Sequence, residues 1–466
     1  MRAAVMIRVL LLPLFLVSGC AGWRPAREPE VDPPDRFVQP HAADSLDERS
    51  WTRAFGDTTL ARLIDEGLSE NLSVRQAVAR LDRFRAMRAA ANATWFPALN
   101  LRASVSETGE VGDDPQPSFQ AMSLSPYSAT LSASYELDLW GELAAGRAAA
   151  LADQLASERE LRSLSLTIAA QIARTYYRIA ELEAQRTLLE ATVRSYEDSH
   201  ALVEARYRRG VAPSLDVYQA ETNLAGAKAQ ELITEANLDA AQHALSVLLG
   251  RWPDPRKLHP APELPEATDP IPPGVPADLL QRRPDVRAAY WRLRAADRRA
   301  AEAVAARLPG LTLTGTLSGR GEEPSEAFDP DGWIWTAVGE LFAPLFDGGR
   351  RKANADRADA VYREQAAAYR EAILIAVQEV EDALARGRRQ RRAVAQYARQ
   401  VEAADASLRL ATDRYLRGVG EYLQVVVAQT SYFNAQRSWI AARRNLLDLR
   451  VGLFTSLGGG WNGGEG

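Results

Sequence analysis

The feature that most constrains this chain is an internal repeat. The stretch Tyr207–Val217, YRRGVAPSLDV, returns at Tyr415–Val425 as YLRGVGEYLQV, with the shared Tyr, Gly, Val, Leu and Val all displaced by 208 residues. Each copy reads as a sharp helix–turn–helix. Arg206, Arg208 and Arg209 crowd the end of an incoming helix, where cations offset the negative end of its dipole, and Gly210 is placed for the left-handed conformation that closes it. Pro213 stops any continuation, and Ser214 with Asp216 is expected to cap the outgoing helix. The second copy uses Gly418 and Gly420. Such hairpin turns are common; what sets these apart is the length of the helices they join.

From Glu142 to Arg208 there is no proline, and an unbroken helix of that length would extend about 100 Å at 1.5 Å per residue. Near its end Leu189, Val193, Tyr196, His200, Val203 and Tyr207 step by fours and threes, the spacing of a coiled-coil seam. The same seam returns as Tyr397, Val401, Ala404, Leu408, Ala411 and Tyr415. His200 is then most simply a seam residue, paralleled by Leu408. The outgoing stretch Val425–Leu453 carries another stripe of this spacing, and the halves end in Leu249-Gly250 and Leu457-Gly458.

Ahead of the long helices the period is different. Helical periodicity runs from Thr58 to Thr94, and after Pro97 it changes to two. Leu99, Leu101, Ala103 and Val105 alternate with polar neighbours, as do Tyr127, Ala129, Leu131, Ala133, Tyr135 and Leu137. The event recurs after Pro309 with Leu311, Leu313 and Leu317, followed by a less regular strand from about Trp333 to Leu345. A globular sandwich also alternates, but each strand here has the length of a tilted transmembrane strand and a Ser/Thr-rich face suited to a wet lumen. Trp333 and Trp335 stand where an interfacial aromatic belt would lie. Four strands cannot close a barrel alone, so closure must come from oligomerisation. The offset is 212 before the strands, as Val74/Val286 and Pro97/Pro309 show, and 208 after them, so the first hairpin is four residues longer.

The expected organisation is a signal peptide at 1–19, a tether at 20–57, a first repeat at 58–250, a proline-rich linker at 251–277, a second repeat at 278–458 and a tail at 459–466. Arg2 and Arg8 precede the apolar run Val9–Val17, which is too short to span a bilayer. Val17-Ser18-Gly19-Cys20 resembles a bacterial lipobox, whose cysteine is acylated and becomes the mature N-terminus; Ala21, rather than Asp, follows it, which favours the outer membrane. Cys20 is the single cysteine, so there is no intrachain disulfide. The net charge of −5 gives no reason to expect nucleic acid. His41, His200, His243 and His259 lack ligand spacing, and no catalytic set or phosphate loop stands out, so no metal, cofactor or enzymatic activity is expected.

Taken in order, several stretches resemble the TolC-type outer-membrane efflux channels, in particular their lipoprotein branch serving RND pumps. They are the lipobox at Cys20, WTRAFGDTTLARLIDEGLSENLSVRQAVARL from Trp51, YELDLWGEL from Tyr135, the Tyr207 tip, RRPDVRAAYWRLRAADRRAAEA from Arg282, ARLPGLTLTG from Ala306, APLFDGGRR from Ala343 and SLGGGW from Ser456. The resemblance implies a mainly α fold with a transmembrane β part: long coiled-coil helices forming a periplasmic α-barrel, and four strands per protomer contributing to a trimeric 12-stranded β-barrel. It implies a homotrimer in outer-membrane lipid that acts as a passive duct for small molecules or drugs. The partners would be a periplasmic adaptor (membrane fusion) protein and an inner-membrane RND-type transporter. The exit duct of a type I protein secretion system, and a periplasmic coiled-coil scaffold without a pore, are the alternatives. Carried onto this sequence, adaptor contact falls to Arg209, Gly210, Val211, Ser214, Arg417, Gly418 and Val419, and the periplasmic gate to Glu421, Leu423 and Val427. Family members often have an aspartate where Val427 stands, so an apolar seal is expected here.

Overall fold

The computed structural model describes residues 27, 34, 36–38, 57–106, 127–254, 264–265 and 276–459. The signal peptide, Cys20 and most of the tether lie outside the described residues, as do most of the linker and the end of the tail. The described elements run in chain order α1 (Thr58–Glu70), α2 (Leu72–Ala93), β1 (Ala98–Val105), β2 (Tyr127–Leu137), α3 (Glu142–Arg208) and α4 (Ser214–Leu248). The second half repeats them as α5 (Pro276–Arg282), α6 (Pro284–Ala305), β3 (Gly310–Gly321), β4 (Ile334–Phe342), α7 (Arg350–Leu416) and α8 (Tyr422–Ser456). Both α3 and α7 are 67 residues long, and both α4 and α8 are 35. No described helix is long and apolar enough to cross a membrane.

The chain divides into two compact units. One holds residues 1–30, 82–156 and 289–369, and the other holds 31–81, 157–288 and 370–466. The first contains a four-stranded antiparallel sheet in the order β1-β2-β3-β4, so β2 and β3, from different halves, are its centre. Register keeps the two faces chemically apart. Leu101, Leu131, Leu317 and Trp335 form one row, while Asn100, Ser132, Thr316 and Thr336 form a row on the other face. Both edge strands, β1 and β4, are exposed along their whole length. Long unpaired edges with apolar side chains are a template for further strands. Trp335 stays exposed on the apolar face, whereas Trp333 is half-buried over Gly319, where an added Cβ would lie 2.6 Å from its indole nitrogen. Trp333 therefore packs onto its own sheet instead of joining a belt.

Each strand-to-helix junction is capped by an aspartate. Asp138 accepts from the amides of Leu143 (3.1 Å) and Ala144 (2.8 Å), and Asp347 from those of Gly349 (3.0 Å) and Arg351 (3.1 Å). These carboxylates take up free N–H groups at the positive ends of α3 and α7.

The second unit has its core where α1 meets α3, α4 and α8. Leu60, Ile64, Ile172, Tyr177, Leu249, Leu447 and Val451 are all buried there. Each such aliphatic side chain contributes about 1.5–3 kcal/mol on burial. Periodicity alone suggests one helix from Thr58 to Thr94, but the chain breaks at Asn71. The Asn71 Oδ1 caps α2 by accepting from the amides of Ser73 (2.9 Å) and Val74 (3.2 Å), and its Nδ2 donates to the Leu248 carbonyl at 2.8 Å. The repeat-related break at Arg283 makes the same cross-helix donation without the cap: its Nη1 donates to the Ser456 carbonyl at 2.9 Å. Arg283 is also paired with Asp285 (2.6 Å) and Glu379 (2.7 Å). Adding 212 to 71 gives 283, and adding 208 to 248 gives 456, so one seat is built twice. The following glycines fit it: a Cβ on Gly250 (φ +70°) would lie 2.4 Å from the Glu70 carbonyl oxygen, and one on Gly458 (φ +89°) 2.9 Å from that of Arg282. Helix α5 opens at Pro276, inside the span expected of the linker, because proline at a first helical position sacrifices no hydrogen bond.

Candidate functional site: the paired hairpin tips

Both turns close by the same hydrogen bonds. The Gly210 amide donates to the Tyr207 carbonyl (2.8 Å) and that of Val211 to Arg206 (3.0 Å); the Gly418 amide donates to Tyr415 (3.0 Å) and that of Val419 to Arg414 (3.0 Å). This pair of hydrogen bonds onto the last helical carbonyls needs a left-handed residue, and Gly210 and Gly418 have φ of +75° and +76°. Ser214 does not cap α4. Pro213 holds the cap position with extended backbone (φ −76°, ψ 156°) and no side chain caps the helix, since the proline ring fixes the geometry that the serine was expected to set. Glu421 precedes α8 in the same way, without a side-chain cap bond.

The two tips pack on each other through a small buried cluster of Val203, Ala220, Tyr415, Tyr422 and Val425. Deeper in, Val193, Tyr196 and Ala227 form a second cluster, with the Tyr196 and Phe433 rings edge to face at 5.8 Å. The first seam is thus covered at Val193, Tyr196 and Val203, with His200 half-buried among its neighbours on α3. The second seam is buried only at Tyr415; Val401, Ala404, Leu408 and Ala411 are half-buried and Tyr397 is exposed, so one protomer leaves that face of α7 partly uncovered.

Polar links cross between the hairpins. Arg206 Nη1 donates to the Tyr415 carbonyl at 3.1 Å while its guanidinium lies 4.5 Å from the Tyr415 ring centroid. Gln429 Nε2 donates to the hydroxyls of Ser195 and Ser199, both at 3.1 Å. Burial pushes the Tyr422 hydroxyl up to about 12. Asp216 is held above the usual carboxylate range, first by burial and then by the charge of Glu421. Sequence reasoning missed Gln429 and Tyr422, and read Arg206 only as a cation at a helix end. Tyr422 and Gln429 do lie on the helical face of Val425 and Ala428, a signal that was there to be read.

The other assigned residues are all on the surface. Arg209, Gly210, Val211, Ser214, Arg417, Gly418 and Val419 are exposed, with Val211 and Val419 64% and 65% accessible, a matched pair of apolar knobs one residue beyond each glycine. Arg209 Nε folds back onto the Ala205 carbonyl (3.1 Å) and Arg417 Nε onto Asp413 (3.1 Å). Glu421, Leu423 and Val427 are exposed too, and Leu423 and Val427 lie one turn apart on the face of α8 opposite Tyr422 and Val425.

A duplicated chain with a transmembrane-type sheet of four strands, open at both edges, and paired helical hairpins of this length defines an outer-membrane channel of the TolC type. The outer membrane efflux protein family model matches residues 63–251 and again 275–459, once per repeat, and the chain belongs to that family. The toluene efflux pump outer membrane protein TtgF of Pseudomonas putida is 33% identical over 426 residues, covering 89% of this chain and 86% of its own. The probable outer membrane lipoprotein SilC of Salmonella typhimurium is 28% identical over 465 residues, 96% and 97% of the two chains. Among solved structures, the open state of the MtrE outer membrane channel of Neisseria gonorrhoeae superposes with a TM-score of 0.83 at 27% identity, covering 95% of this chain and 98% of MtrE. The protein is accordingly the outer-membrane channel component of an efflux system. Three protomers supply four strands each to a 12-stranded β-barrel, and their long helices continue it as a periplasmic α-barrel. A scaffold without a pore is thereby set aside, and the family is one of ducts, not of enzymes.

Proposed function

We propose that the trimer is the passive exit duct of a tripartite pump that expels small apolar molecules or drugs, energised by an RND-type inner-membrane transporter and coupled to it by a periplasmic adaptor. TtgF is named for toluene, and a duct of this kind does not have to recognise what it carries. Cys20 is the acylated N-terminus of the mature chain, a reading supported by the lipobox and by the lipoprotein SilC. The adaptor docks on the exposed residues of the two turns, Arg209, Gly210, Val211, Ser214, Arg417, Gly418 and Val419, whose near-identical geometry offers one adaptor surface two equivalent places per protomer. Glu421, Leu423 and Val427 narrow the tunnel just inside those turns, and the apolar Val427 stands where a carboxylate is common in the family.

The observation that carries this reading is the repeated pair of exposed valines beyond left-handed glycines, held at fixed positions by identical hydrogen bonds. Replacing Gly418 by proline removes both the left-handed turn and the amide that closes it. In cells carrying the cognate pump, Gly418→Pro should abolish efflux of a fluorescent dye and in vivo crosslinking to the adaptor, while trimer yield in the outer membrane stays normal. Full efflux by that variant would move the docking surface away from the tips.

A further inference from the structure

Seven residues beyond Cys20, one residue of the N-terminal segment is held by both its side chain and its backbone. Arg27 Nε donates to Asp297 Oδ1 at 2.8 Å and its Nη1 to Asp359 Oδ1 at 2.8 Å, so one guanidinium joins α6 to α7. Its Cζ lies 3.3 Å from the centroid of the Tyr362 ring. The backbone is held as well: the Arg27 amide donates to Asp297 Oδ2 (3.4 Å), and its carbonyl accepts from Arg294 Nη1 (3.5 Å). An ion pair on an open surface contributes little, but the Asp297 side chain is only 6% exposed. A buried carboxylate needs a cationic partner, and a planar guanidinium can serve two carboxylates and an aromatic face at once.

We propose that Asp297, Asp359 and Tyr362 form a clamp for Arg27 that docks the N-terminal segment on the helices flanking the strands and so fixes the reach of the Cys20 lipid. This rests on the reading of Cys20 as the acylated residue. Asp359 is nine residues into α7, about 14 Å from its strand-proximal end, and Asp297 is eight residues from the matching end of α6, about 12 Å. The seven residues from Cys20 to Arg27 span at most about 25 Å. With Arg27 clamped, Cys20 can reach the strand-proximal ends of α6 and α7 in the same protomer with only about 10 Å to spare. The next fixed point is Phe37, which is 3% exposed, beside the Val38 amide that donates to Glu381. Without the clamp the leash would lengthen to seventeen residues, about 60 Å. Arg27 is thus a positioning residue that converts a loose lipid anchor into a short one.

Trypsin reads the clamp directly. Arg24 is followed by proline and resists cleavage, so the first N-terminal sites are Arg27-Glu28 and Arg36-Phe37. The full-length trimer in detergent would be digested, and the N-terminal peptide followed by mass spectrometry in wild type, Asp297→Asn and Asp359→Asn. In wild type the peptide should end at Arg36. In both variants cleavage after Arg27 should be at least tenfold faster, with heat stability of the trimer unchanged for Asp359→Asn, whose side chain is the more exposed. Rapid cleavage after Arg27 in wild type, or equal rates in all three proteins, would overturn the clamp. The mass of the peptide reports acylation separately, so a peptide without lipid would sink the Cys20 reading while the cleavage rates still test the clamp.

Discussion

Arg206 is the most informative residue to remove, because it links the hairpins at the point where the proposed opening would part them. It stands on α3, and its partner, the Tyr415 carbonyl, is the last but one residue of α7. A hydrogen bond from a charged donor contributes about 1.5–3 kcal/mol, and a guanidinium over an aromatic face about 0.5–1 kcal/mol where water still reaches it. Arg206 is half-buried, so the lower ends apply and the link is worth about 2 kcal/mol in the closed tip. If opening breaks both contacts, Arg206→Ala should raise the open:closed ratio about thirtyfold. The assay is the resting open probability of single trimers in a planar bilayer. Arg206→Lys should fall in between, since it keeps the charge and loses the fork. Arg208→Ala is the control, because Arg208 is exposed and pairs with Glu204 on its own helix at 2.6 Å. An open probability within threefold of wild type for Arg206→Ala, with trimers assembling normally, would mean that the two hairpins move together and that the gate does not lie between them.

Two further expectations bear on the same tip. Leu423→Ser or Val427→Gly should raise resting conductance without altering trimer assembly, because both side chains face away from the buried cluster; unchanged conductance in both would place the constriction elsewhere. The second concerns pH. The raised Asp216 carboxyl means that the packed tip favours its protonated form, so packing strengthens as pH falls through the raised titration and is weakest with the group ionised at neutral pH. Resting conductance should therefore decline on acidification across that window, and Asp216→Asn should flatten the dependence at the low, acid-side level. A conductance that rises on acidification in wild type and not in Asp216→Asn would reverse the sign of the argument.

What the sequence disclosed and what it hid differ in physical kind. The bounds of α3, the four strands and the two glycine turns were legible because each follows from local chemistry: a proline-free run, a change of period, a residue type that tolerates positive φ. The architecture was legible because duplication repeats those signals at one interval. The break at Asn71 was not read, since periodicity continues across it, although asparagine is a favoured N-cap; its seat on the distant Leu248 carbonyl has no local sign. The related seat hides further, because its donor is an arginine and not an asparagine, and similarity of side chains cannot expose a function that the two share only through a hydrogen bond. It appears when two different offsets, 212 for the donor and 208 for the acceptor, are applied to one contact. The tip has the same character. Gly210 and Gly418 announce themselves, whereas Arg206 reads as one more cation at a helix end, and nothing local says that it reaches across to Tyr415 while Arg208 stays on its own helix. Periodicity tells which face of a helix is turned inward, not what stands opposite. Gate and clamp both depend on what stands opposite, which is why Arg206 and Arg27 emerge from the structure and the duct itself from the sequence.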